Sequence, residues 1–196
     1  MIRVVLALFA LFVLVGAAVA NDQGGGVLVY GGSGKAGWGI MADVPQGWTS
    51  DCCTYAKAIG VNLALYQGEW TGKPERVILL NVWDRTLPTL QAELDADRRQ
   101  YMQRDPKATI EPLPIVASAN MVCKGVFYRG SDHEDDAVVF CEPPTSSGVR
   151  VSWSMTVADA DPERSNLLKI FAHIAGRANY MSCRSGCSST PNARGH

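Results

Sequence analysis

The sequence lacks an excess of either charge. It carries 18 Lys and Arg residues against 19 Asp and Glu residues, which gives a formal net charge of −1. Proteins that bind nucleic acid or an anionic membrane surface usually carry a clustered basic excess that pairs with phosphates. We therefore expect neither as a partner. Histidine is also scarce, with three residues, so a hydrolase that depends on a histidine base has few candidates.

Long apolar runs are absent after the N-terminus. The single such run, from Val4 to Ala20, follows Arg3 and ends in Ala-Val-Ala. It is slightly shorter than the roughly 18 residues that favour a membrane-spanning helix, and its ending is typical of a signal-peptide cleavage site. We predict that residues 1–20 are a signal peptide, that no membrane span remains after cleavage, and that the mature chain is periplasmic or secreted. An uncleaved N-terminal anchor is the alternative.

Complete nucleotide-binding and nucleophile motifs are also missing. Gly32, Gly34 and Gly37 match the spacing G-x-G-x-x-G, but a proline eight residues later leaves little room for the helix that this motif requires. Lys35 follows Gly34, but a P-loop also needs a glycine where Val29 stands and a serine or threonine where Ala36 stands. The same segment lacks the final glycine of a nucleophile elbow. We interpret this segment as a glycine-rich leader and predict no catalytic, cofactor-binding or metal-ligating residues.

Six cysteines are present, and an even number in an exported chain favours three disulfides. One bridge is expected to join the two β-rich runs that carry Cys123 and Cys141. A second could close the small loop between Cys183 and Cys187, which would leave two adjacent cysteines to pair with each other. Equally, one of these adjacent cysteines could reach the C-terminal pair. The six candidates are Cys52, Cys53, Cys123, Cys141, Cys183 and Cys187.

Hydrophobic periodicity predicts strands and two helices. The last strand alternates most clearly, with Val151, Trp153 and Met155 on one face, which is typical of an antiparallel sheet with one polar side. Strands are predicted at Val27–Tyr30, Trp38–Trp48 (interrupted by a turn), Gly60–Tyr66, Arg76–Trp83, Thr109–Ser118, Met121–Arg129, Ala137–Cys141 and Val149–Val157, and helices at Leu87–Arg104 and Pro162–Ala178. The predicted organisation is a leader at 21–37, a single α+β domain at 38–181 and a cysteine-containing flexible tail at 182–196.

Capping residues and apolar stripes orient the two helices. Thr86 is expected to cap the first helix and Asp161 the second. Apolar stripes of both helices should pack on the sheet, and the opposite face of the first helix should be solvated. The predicted stripes are Leu87, Leu90, Leu94 and Tyr101 in the first helix and Leu167, Phe171, Ile174 and Ala178 in the second; the predicted solvated residues are Glu93, Asp97, Arg99 and Gln100.

The order of these elements resembles a known architecture. The segments GWGIMADVPQGW, VILLNVWDR, TLPTLQAELDADRRQYMQRDP and DPERSNLLKIFAHIAG, taken in order, are similar to those of the PsbP-like fold, which includes exported bacterial proteins of the DcrB type. The resemblance implies an α/β/α sandwich with a central, mainly antiparallel sheet and two flanking helices. It also implies a small accessory or binding protein without enzymatic activity.

Three features are candidates for contact with ions or partners. The run Asp132–Asp136 holds four carboxylates and His133, which favours a solvated turn, with weak calcium or zinc binding as the alternative. Trp70 lies in a polar setting and could anchor a partner, or could be a partly covered loop residue. The polar strand face of Arg150, Ser152, Ser154 and Thr156 could be a solvated surface or the floor of a binding groove.

These observations favour an exported, non-enzymatic accessory or binding protein whose partner is a protein or envelope component. Two alternatives stay open. The first is an immunity or inhibitor protein that neutralises a toxin delivered to the periplasm. The second is an exported hydrolase that uses Asp or Glu side chains.

Overall fold

The computed structural model describes residues 25–32, 37–70, 74, 76–117 and 120–183. The predicted signal peptide, the residues of the glycine-rich motif at 33–36, Cys187 and most of the predicted tail lie outside this part of the chain. The described elements in chain order are β1 (Gly26–Gly31), β2 (Gly37–Asp43), β3 (Trp48–Asp51), α1 (Tyr55–Ala58), β4 (Leu63–Gln67), β5 (Val77–Asp84), α2 (Leu90–Arg104), β6 (Thr109–Leu113), β7 (Val122–Arg129), β8 (Glu134–Glu142), β9 (Val149–Ala158), α3 (Arg164–Arg177) and β10 (Asn179–Cys183).

The strands form two sheets. The larger has seven strands in the order β3-β4-β5-β9-β8-β7-β6, and the smaller has three in the order β1-β2-β10. Every neighbouring pair in both sheets is antiparallel. The predicted α+β class with a mainly antiparallel sheet is therefore confirmed. No helix in the described residues is both long enough and apolar enough to cross a membrane.

One face of the larger sheet is apolar and closed. Val151, Trp153 and Met155 of β9 are buried there, as their alternation predicts, and they share a core with Phe171 and Ile174 of α3. Strand β2 also packs against α3. The principal hydrophobic core thus lies between the larger sheet, α3 and the smaller sheet.

The smaller sheet uses segments that composition alone assigns to the leader and the tail. Strand β1 lies within the predicted leader, and β10 extends into the first residues of the predicted tail. Both pair with β2, and Val29 of β1 is buried in the principal core. The predicted strand at Val27–Tyr30 is thus confirmed as β1, whereas β10 was not predicted and forms where the polar end of the domain pairs with β2.

Helix α2 begins three residues later than its sequence predicts. Thr89 is the capping residue, and its hydroxyl accepts a hydrogen bond from the Ala92 amide at 3.1 Å. The prediction that Thr86 caps this helix is wrong, because Pro88 disfavours helical geometry at Leu87. The prediction that Asp161 caps the second helix is wrong as well, because Glu163 occupies the capping position of α3. The Asp161 carboxylate instead accepts a hydrogen bond from the Glu163 amide at 2.7 Å, in the turn that precedes the helix.

The expectation of a solvated face on α2 fails at two positions. Glu93 is buried, and Asp97 accepts a hydrogen bond from the hydroxyl of the fully buried Tyr128. Both residues face polar side chains that project from the sheet towards α2. Arg99 and Gln100 are exposed, as predicted.

Two disulfides lie in the described part of the chain. Cys123 and Cys141 are bonded at opposite positions of β7 and β8, which confirms the predicted bridge across a hairpin. Cys52 and Cys53 are bonded to each other, so neither reaches the C-terminal cysteines. Cys183 at the end of β10 is not a free thiol.

Candidate functional site

Helix α2 covers only part of the second face of the larger sheet. It packs on β7 and β8, at one side of the seven strands. Beyond its C-terminal end, a groove of about 1010 Å³ opens over β5, β9 and β8. This volume is in the range of sites that bind small molecules or short segments of a partner.

The floor of the groove is made by two neighbouring strands. Val77 and Leu79 of β5 are half-buried, as is Ala158 of β9, and Thr156 of β9 is exposed. These side chains share a face because residues two apart on a strand point to the same side. The floor is therefore mostly apolar, with one hydroxyl.

The first wall of the groove is acidic. Asp105 follows the last residue of α2, and its carboxylate accepts hydrogen bonds from the Ser131 amide at 2.7 Å and the Ser131 hydroxyl at 2.8 Å. These bonds tie the end of α2 to the turn between β7 and β8. Asp136 accepts a hydrogen bond from the Thr156 hydroxyl on the floor. The carboxylates along this wall are Asp105, Asp132, Glu134 and Asp136.

The pKa of Tyr101 is affected by the negative charge of this wall. Burial raises its pKa to about 12, and the carboxylates of Asp136, Asp105 and Asp132 add to the effect. The Arg104 guanidinium lies 5.1 Å from the centroid of the Tyr101 ring, in a cation–π contact. Hydrogen bonds from Ser131 hold the pKa of Asp105 below its usual value, so this carboxylate is ionised at neutral pH.

The second wall is apolar and aromatic, and it includes Ile59, Trp70 and Pro74. Trp70 stacks on Tyr55 with ring centroids 4.9 Å apart and meets Tyr66 edge-on at 5.2 Å. It is half-buried, so the interpretation as a partly covered loop residue describes it better than a fully exposed anchor. Part of its side chain lines the groove.

Helix α1 holds this aromatic wall in place. The Asp51 carboxylate accepts a hydrogen bond from the Ala56 amide at 2.7 Å and another from the Thr54 amide. These bonds begin the single helical turn that carries Tyr55. This turn was not predicted from the sequence, although an aspartate just before a short polar-to-apolar segment is a typical helix-start signal.

Arg76 closes one end of the groove. Its guanidinium pairs with Asp161 at 3.4 Å and with Glu163 at 3.1 Å, and it also donates to Gln67 at 3.1 Å. This network joins β4 and β5 to the start of α3. The positive charge of Arg76 is thereby matched within the protein.

The structure separates the predicted partner-contact residues of β9. Arg150 is fully buried beneath α2, where it pairs with Glu142 at 2.6 Å and Glu93 at 3.6 Å, so the prediction that it contacts a partner is wrong. Ser152 and Ser154 are half-buried on the same face. Only the last member of this row, Thr156, reaches the groove, which favours the groove-floor interpretation at that end of the strand.

The acidic run Asp132–Asp136 does not converge on one point. Asp135 is buried and pairs with Arg164, whereas His133 pairs with Asp159 at 2.8 Å. Within the described residues there is no group of three or more His, Cys, Asp or Glu side chains that could hold a metal ion. Asp132, Glu134 and Asp136 instead contribute to the groove wall.

Comparisons with known proteins find similarity in the path of the chain and not in the sequence. No protein-family model matches the sequence, and no curated protein matches it. Cyanobacterial PsbP (CyanoP) from Synechocystis sp. PCC 6803 is 13% identical, with 86% of this chain and 99% of that chain covered and a TM-score of 0.49. The Saccharomyces cerevisiae Ran-binding protein Mog1p is 11% identical, with 80% and 95% covered and a TM-score of 0.46.

Proposed function

We propose that this protein is an exported, non-enzymatic binding protein, located in the periplasm or secreted, whose groove binds a positively charged segment of a partner protein. The observation that carries the proposal is the pairing of an acidic wall with an aromatic wall across an apolar floor. The N-terminal run that ends in Ala-Val-Ala supports export.

We further propose that the fold is the PsbP-like α/β/α sandwich. The alternation of β8 supports this. Val139 joins the core that contains Phe171 of α3, whereas Phe140 packs with Leu90 and Leu94 of α2. Neighbouring residues on a strand point to opposite faces, so each helix contacts a different side of the same strand.

Charge complementarity defines the proposed ligand. Arg76 is matched by Asp161 and Glu163, so its charge does not balance the four carboxylates of the acidic wall. The positive charge of Arg104, which also lines the groove, balances one of these four negative charges. A guanidinium or ammonium group can approach the remaining carboxylates while its aliphatic stem lies against Trp70 and the floor.

The chemistry of the groove favours binding over acid catalysis. A carboxylic acid that donates a proton near neutral pH needs a raised pKa. The pKa of Asp105 is instead lowered by its hydrogen bonds from Ser131. The ionised form suits recognition of a cation and argues against Asp105 as a proton donor.

The test is a charge reversal at Glu134, which is exposed on the acidic wall, with Asp84 as the matched control. Asp84 is also exposed but lies at the end of β5 remote from the groove floor. The probe is a synthetic peptide of alternating arginine and leucine, titrated at low salt. We expect Glu134→Lys to weaken binding by about five- to tenfold, and Asp84→Lys to change it less than twofold.

Equal losses in the two variants would contradict the groove, because they would show that the peptide responds only to overall charge. Affinity that does not fall as salt is raised would also contradict it, since an ionic contact in an open groove is screened.

A further inference from the structure

The outer edge of β1 presents backbone groups that no other strand in the described residues pairs with. Among the described strands, β1 pairs with β2 alone. The Val44 amide donates to the Gly25 carbonyl at 2.7 Å, just before the first β1–β2 pair, and such pairs alternate along an antiparallel ladder. Counting from this pair, the β1 residues whose N–H and C=O groups point away from β2 are Gly26, Leu28 and Tyr30.

Strand β1 also lacks the features that protect the two edges of the larger sheet. Edge strand β6 contains Pro112 and Glu111, and edge strand β3 is four residues long and ends in Asp51. Proline and charge both prevent a further strand from adding to an edge. The six residues of β1 include neither, and Tyr30 is 48% exposed.

A slot of about 540 Å³ runs beside this edge. Leu28 and Tyr30 line it on the β1 side, and the Cys52–Cys53 disulfide and Lys57 line it on the side of α1. Both cysteines are exposed, so their polarisable sulfur atoms can contact an apolar side chain.

The opposite wall of this slot selects the occupant. A single added strand would lie about 4.8 Å from β1. The disulfide and Lys57 bound the far side of the slot, and a second copy of this chain would bring β2 together with its own β1. A lone peptide segment, one strand wide, therefore needs less space than a second folded copy.

Lys57 supplies the charge preference of the slot. It is exposed and is the charged side chain among the residues that line this slot. A carboxylate on the incoming segment would meet it, and apolar side chains at alternate positions would meet Leu28 and the disulfide. We propose that the open edge of β1 binds an extended, apolar, acidic segment of a partner protein by strand addition.

This site is independent of the acidic groove, and the two call for ligands of opposite charge. The probes are synthetic decapeptides that alternate valine and threonine and carry glutamate, glutamine or lysine at the centre. We expect the glutamate peptide to bind at least fivefold more tightly than the lysine peptide. Amide hydrogen exchange at Leu28 and Tyr30 should slow on binding, because their N–H groups point towards the added strand.

Two sets of variants separate strand addition from contact through side chains alone. Methylation of every central amide of the glutamate peptide should weaken binding by at least tenfold, whereas methylation of alternate amides leaves one peptide edge able to pair. Lys57→Glu should reverse the preference between the glutamate and lysine peptides, and Lys169→Glu on α3 should not. Both are surface changes, so folding is retained.

The proposal fails if the fully methylated peptide binds as well as the parent. It also fails if none of the glutamate peptides slows exchange at Leu28 and Tyr30. Protection of these amides by concentration-dependent dimerisation without peptide would assign the edge to a second copy, and would overturn the choice of occupant.

Discussion

The two faces of the larger sheet differ in what covers them, although they belong to the same strands. On one face, Trp153 of β9 is fully buried with Phe171 of α3 in an apolar core. On the other, Arg150 of the same strand is equally buried but lies among carboxylates beneath α2, and the sheet beyond α2 is open. Burial alone therefore does not identify a hydrophobic core, and the incompletely covered face carries the features suited to binding.

The largest expected effect is on the closed face. Trp153→Ala should lower the free energy of unfolding by about 3–5 kcal/mol, because it leaves a cavity where the core cannot collapse. Phe140→Ala on the α2 face is the matched change and should cost less, since Phe140 belongs to a smaller cluster near the polar network. Urea unfolding of both variants measures the difference. A larger loss for Phe140→Ala would reverse the assignment of the main core.

The next effect concerns the buried charges of the α2 face. Arg150→Met should lower the free energy of unfolding by about 3 kcal/mol, because the carboxylates of Glu142 and Glu93 lose their buried partner. Adding Glu142→Gln and Glu93→Gln should restore part of this stability. Urea unfolding checks both variants.

A change below about 0.5 kcal/mol for Arg150→Met would show that this face is solvated, as the strand alternation alone suggests. The absence of any recovery in the triple variant would show that packing volume, and not charge, is the cause.

The smallest effect concerns the acidic wall of the groove. The pKa of Asp105 is lowered in the folded protein, so the folded state favours its ionised form. This stabilisation is present above the ordinary carboxyl pKa of about 3.8 and is lost as pH falls through the lower folded value. In the Asp105→Asn variant, the free energy of unfolding should therefore fall less steeply as the pH is lowered. Its value at neutral pH should be slightly smaller than in the parent protein.

Unfolding measured between pH 7 and pH 2.5 tests this, with Asp95→Asn on the exposed side of α2 as the control. An acid profile of Asp105→Asn that matches that of the parent protein would show that the Ser131 contacts do not favour the charged carboxylate.

Local patterns predicted much of the fold. The alternation of β9 identifies Trp153 as a core residue, and the apolar spacing of the second helix identifies Phe171. The β-rich runs around Cys123 and Cys141 predict the hairpin and its disulfide. These features depend on residues that are close in sequence or repeat with a fixed period, so one chain segment contains the information.

The groove could not be predicted in this way. Asp105 ends a helix, Glu134 follows a turn and Trp70 lies in a loop, and each has an ordinary local role. They face one space because α2 stops over β8 while α1 holds the aromatic wall on the other side. Similarly, β10 is a strand because it pairs with β2, which its local composition does not reveal.

Local patterns were enough to specify the strand and helix periods, the inward face of β9 and the hairpin that carries a disulfide. Long-range packing was needed to bury Arg150 while leaving Thr156, on the same row, accessible. A period specifies which side of an element a residue occupies, whereas burial depends on what a distant segment places over that side. The groove begins at the end of α2, because the sheet beyond that point is no longer covered by a helix.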